Sequence, residues 1–180
     1  MNINATLYPH VSKIYEVFLK NFPYFKATIP RQIDLFGESW LAHFQHEMQV
    51  HFADDENAIT NAALGYGKFC LDSMKLQKIF DKTRQYENKT YEEAASEVYQ
   101  NRDYMFSLYL PGILLSHFLW SHHYKQHIFF REKFVPKVID HGGHVFYDIG
   151  VGTGFYSKEM LLVNENMHGE GFDLSPHSLE

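Results

Sequence analysis

The stretch Val145–Phe155, VFYDIGVGTGF, carries one acid inside an apolar run and then glycine at every second position: Gly150, Gly152 and Gly154. With Gly142 and Gly143 just before it, HVFYDIG reads as a short buried strand of the kind found in parallel sheets. Beyond the glycines, FYSKEMLLVNEN returns to helical spacing, and HGEGFDLS reads as a second strand ending at Asp173. Strand, glycine turn, helix and strand make one βαβ unit.

Glycines in such a turn let the backbone approach a ligand that a side chain would hold off. Asp148 would close the first strand, and Asp173, 19 positions after Gly154, the second. An acid at that second strand tip is placed to accept both hydroxyls of a ribose. A nicotinamide dinucleotide would want G-x-G-x-x-G, yet the third glycine position is Phe155. Asp148 would also repel a pyrophosphate, whereas a ligand with an ammonium group and a sulfonium would welcome it.

Asp148, Gly150, Gly152 and Gly154, followed by Asp173 in GFDLSPHSLE, resemble the two cofactor motifs of the class I S-adenosylmethionine-dependent methyltransferases. The resemblance implies an α/β Rossmann-like domain, of which residues 122–180 would be the first βαβ unit of a doubly wound parallel sheet. It implies that the glycine loop runs beneath the methionine part of S-adenosyl-L-methionine, with Asp173 on the ribose. It covers about 35 of 180 residues. Members of the family carry further strands, so the chain is expected to be the N-terminal part of a longer protein and inactive by itself.

Residues 1–121 read as a separate helical domain, which makes the chain mostly α-helical, and the resemblance implies that this domain shapes the acceptor site and mediates dimerisation. Leu7, Val11, Ile14, Phe18, Leu19 and Phe22 follow helical spacing up to Pro23, and Phe36, Trp40, Leu41, Phe44, Met48 and Phe52 form a second stripe. Ile59 to Cys70 suggest a third helix, weakened by Gly65 and Gly67, with the Asp54-Asp55-Glu56 run at its start. Thr90 and Glu93 form a capping box opening a helix to about Tyr104. Pro111 marks a kink or a fresh start, and VPKVIDHGG a short last helix closed by Gly142.

A net charge of −6 with no basic run argues against nucleic acid as partner, so a small-molecule acceptor is expected. The lone cysteine, Cys70, suits a reducing compartment and reads as an inert buried thiol. LYLPGILLSHFLW is too short to span a bilayer and the N-terminus has no signal-peptide pattern, so a cytoplasmic, membrane-free protein is expected.

Histidine is the natural base near neutral pH, and His117, His122 and His123 are the candidates should the acceptor need to lose a proton. His123 and His127, one turn apart, read as a solvated or substrate-facing surface. His43, Glu47 and His51 share a helix face with metal-ligand spacing, but a half-exposed face of His–Glu contacts fits better and no metal is assigned. Two other readings stand beside the methyltransferase: a non-catalytic helical interaction module with a degenerate Rossmann remnant, and an NAD(P)-dependent oxidoreductase.

Overall fold

The computed structural model describes residues 3–85 and 90–180. In chain order the helices are α1 (Pro9–Asn21), α2 (Thr28–Phe52), α3 (Glu56–Thr83), α4 (Tyr91–Ala94), α5 (Arg102–Tyr104), α6 (Leu110–Leu119), α7 (Ser121–Phe129), α8 (Val135–Asp140) and α9 (Phe155–Val163). Strands β1 (Val145–Ile149) and β2 (His168–Phe172) flank α9. The protein is mostly helical, with one small parallel sheet. Two compact units divide it: Met1–Glu87 with Ser107–Leu119, and Asn88–Phe106 with Trp120–Glu180. The chain crosses between the units before Ser107 and after Leu119, so the segment before residue 107 joins the later unit.

In the first unit α1, α2, α3 and α6 build an aromatic core. Val11, Ile14 and Phe18 are fully buried on α1, whereas Leu7 and Leu19, counted on the same stripe, are 62% and 48% exposed. Gly37, at φ 75° and ψ −164°, breaks α2: Ile29 and Gln32 are buried before the break, and Trp40, Leu41, Phe44 and Met48 after it. Helix ends leave carbonyls without helical partners. Trp40 Nε1 donates to Phe118 O (3.0 Å) and Gln32 Nε2 to Leu119 O (2.6 Å), which joins α2 to the end of α6.

The acid run does start α3: the Asp55 carboxylate accepts from the amides of Asn57 and Ala58 at 3.0 Å each. This helix runs on past Cys70, which is buried, to Thr83. Close packing explains the two glycines that weaken it. A Cβ at Gly65 would lie 2.3 Å from Ser107 O, and one at Gly67 2.3 Å from the Phe22 ring.

In the second unit the capping box forms, with Glu93 N donating to Thr90 Oγ1 (3.2 Å) and Thr90 N to Glu93 Oε2 (3.0 Å). The helix expected to reach Tyr104 does not. It widens to a π turn over Ala95–Tyr99, breaks, and restarts where Asn101 Oδ1 caps Tyr104 N (3.0 Å). Further on, a π turn over Phe130–Phe134 leads into α8, which takes Pro136 as its second residue and ends at Asp140, two residues before Gly142 with φ 77°.

Strands β1 and β2 pair in parallel, from Val145 opposite His168 to Ile149 opposite Phe172. Val135, Met160 and Met167 form the core beneath them, joined by Phe130, Val138, Ile139 and Phe146. The expected burial of both strand faces is not what forms. Val145, Tyr147 and Ile149 are 54%, 64% and 77% exposed, because α8 and α9 pack through Phe146 on one face only. Among the described residues no helix is long and apolar enough to cross a membrane.

Candidate cofactor site

The site grows from the carboxyl ends of the two strands. Gly150, Gly152 and Gly154 stand at φ 81°, 55° and 68°. Residues with a Cβ rarely adopt that region, so the turn itself demands glycine. Packing does not, since a Cβ at Gly150 or Gly154 would meet no atom within 4 Å. The loop therefore presents bare backbone to open space.

Its amides are largely engaged within the chain. Gly150 N and Val151 N both donate to Phe172 O (2.7 and 3.0 Å), and Gly154 N to Val151 O (2.8 Å). Gly152 N donates to the Asp173 carboxylate (2.9 Å), whose other oxygen accepts from Ser175 N (2.8 Å). Ser175 is fully buried and donates its hydroxyl to Tyr99 O (2.6 Å), so the turn after β2 is anchored to the π turn. Asp173 is held on the glycine loop with lone pairs left over for hydroxyl donors.

Asp148, half-buried at the other strand end, accepts a 2.5 Å hydrogen bond from Ser157 Oγ on α9. Among the described residues no cationic side chain pairs with Asp148 or Asp173. Two uncompensated carboxylates and a loop whose amides are mostly spent make a poor seat for a pyrophosphate. They suit a ligand that brings positive charge and hydroxyl groups. Thr153 Oγ1, inside the loop, is buried with no hydrogen-bond partner among the described residues, which leaves one polar atom for a ligand to satisfy.

Next to Asp148 and Ser157 lies a pocket of about 290 Å³ walled by Phe130, Phe134, Phe146, Tyr156 and Met160. Its rings are ordered by edge contacts, Phe130 to Tyr156 at 4.9 Å and Phe155 to Tyr156 at 5.4 Å. Burial pushes the Tyr156 phenol above its ordinary value of 10.0.

The structure brings Asp148, Gly150, Gly152, Gly154 and Asp173 together around one turn. Of the histidines read as base candidates, His117 is buried on α6 in the first unit, while His122 and His123 lie in the second. There His122 stacks on Trp120 at 5.7 Å between ring centroids, and His123 lies tilted against it at 4.8 Å. His127, read as part of a solvated or substrate-facing surface, is instead 2% exposed, with Nε2 3.1 Å from the equally buried Glu159 and its ring edge-on to Phe155. In α2, Glu47 is buried with His51 Nε2 3.8 Å away. Ser157 and Thr153 are not picked out from the sequence, and Ser175 stands out there only as part of the second motif. The one available signal for Ser157 is its place in the first turn of the helix that the glycine loop launches, nine residues after Asp148. Comparison with protein families, with curated proteins and with solved structures finds no match for the chain.

Proposed function

We propose that the second unit binds S-adenosyl-L-methionine as the opening βαβ part of a Rossmann-like methyltransferase domain, and that the acceptor is a small molecule. The observation that carries this reading is the pair of cation-free carboxylates, Asp148 and Asp173, held at one positive-φ glycine turn between parallel strands. When bound, the cofactor would supply a methyl carbon on a sulfonium, open to in-line attack by an acceptor lone pair that forms the new bond to carbon as the C–S bond breaks and S-adenosylhomocysteine leaves. Asp148 would face the cationic amino-acid end and Asp173 the ribose hydroxyls. Gly150, Gly152 and Gly154 admit the ligand against the backbone, so alignment rather than acid–base chemistry is the main contribution of these residues. The same carboxylates argue against a dinucleotide, whose phosphates they would repel.

Titration calorimetry of the chain with S-adenosylhomocysteine should give micromolar binding, and NADH no heat. Clear binding of NADH with none of S-adenosylhomocysteine would replace this reading by the oxidoreductase.

A further inference from the structure

We infer that Ser157 is a positioning residue for the candidate cofactor site, holding the Asp148 carboxylate ready for the cationic end of the ligand. This inference rests on the methyltransferase reading. Asp148, the penultimate residue of β1, stands half-buried beside an aromatic wall, where an ionised carboxylate is costly unless hydrogen-bonded. The Ser157 hydroxyl meets that need at 2.5 Å through Oδ2. Because the donor is neutral, it fixes the side chain without cancelling its charge. The other oxygen, Oδ1, has no partner among the described residues, so it is the one offered to an ammonium group.

The placement follows from the fold. Ser157 is the third residue of α9, directly after Gly154, so the bond ties the strand end, through the helix, to the glycine loop between them. An alanine at position 157 would release the carboxylate to other rotamers and leave it half-buried beside apolar rings without its donor.

The test uses two nucleosides that differ in the group Asp148 would hold: S-adenosylhomocysteine, and 5′-methylthioadenosine, which lacks the amino-acid moiety. Ser157→Ala should weaken S-adenosylhomocysteine about tenfold, the scale of one hydrogen bond to a charged group. Its affinity for 5′-methylthioadenosine should stay within about twofold, which also reports that the loop is still folded. Ser157→Thr should restore the first affinity. Equal weakening of both nucleosides would make Ser157 a structural residue of the loop, and no change in either would remove it from the site; both outcomes overturn the inference while leaving the cofactor reading intact. Absence of S-adenosylhomocysteine binding by the unaltered chain would instead overturn the reading and this inference with it.

Discussion

At the scale of single residues, burial decides which side chains are chemically poised. Tyr124 and Tyr156 are the clearest instances, for burial raises both phenols above 10.0, with Glu159 and Glu132 adding to the rise at Tyr124 and Arg131 opposing it. A folded-state value above the unfolded one means that the native state keeps its proton longer. The stabilising contribution is therefore complete below about pH 10 and is lost as pH climbs through the folded value. Urea unfolding between about pH 9 and 11 should show a fall in stability that is shallower in the Tyr124→Phe/Tyr156→Phe variant. Identical slopes would contradict the assignment. Asp148 was legible in the sequence as a strand-end acid, but its partner Ser157 was not, because a serine three residues past a glycine carries no pattern of its own.

At the scale of elements, the turn chemistry was readable and the packing was not. The Thr90–Glu93 box and the Asp55 cap follow from short-range spacing, and both form. Gly65 and Gly67 read as weak points of α3, yet they are where other parts of the first unit come closest. Gly65→Ala gains about 1 kcal/mol in helix propensity but drives a methyl into a backbone carbonyl 2.3 Å away, which cannot rotate aside. Overpacking of this kind costs about 1–3 kcal/mol, so the variant should be the less stable by about 1 kcal/mol, read from its urea midpoint. An alanine variant more stable than the original would show that the carbonyl moves freely. The π turns were missed for a related reason: periodicity of 3.6 is what the eye counts, and a one-residue widening only shifts the stripe.

At the scale of the whole molecule, the chain is two units that interleave in sequence. The segment before residue 107 belongs with the βαβ part through contacts that no local pattern announces: Ser175 to Tyr99, Arg102 to Glu180 at 3.2 Å, and His177 against Phe106. Within that second unit, the His127–Glu159 contact joins α7 to α9 in full burial. Leaving a buried polar group without its partner costs about 1–3 kcal/mol. Glu159→Ala should lower the melting temperature by roughly 5 °C, and Glu159→Gln, which keeps the shape and a hydrogen-bonding end, by less. An unchanged transition in the alanine variant would mean that the pair contributes nothing to the unit.

What the sequence determined by itself was everything governed by near neighbours: the helical bulk of the chain, the caps, and the glycine turn between two short strands ending in acids. The two strands were found because their glycine boundaries and apolar runs are local signals. Tertiary structure alone decided which histidines are buried, that one sheet face stays open, that residues before 107 join the later unit, and that a serine holds the first acid. The reason is that burial and partner choice depend on residues tens of positions apart, whose meeting is set by how faces pack and not by the spacing along any one of them.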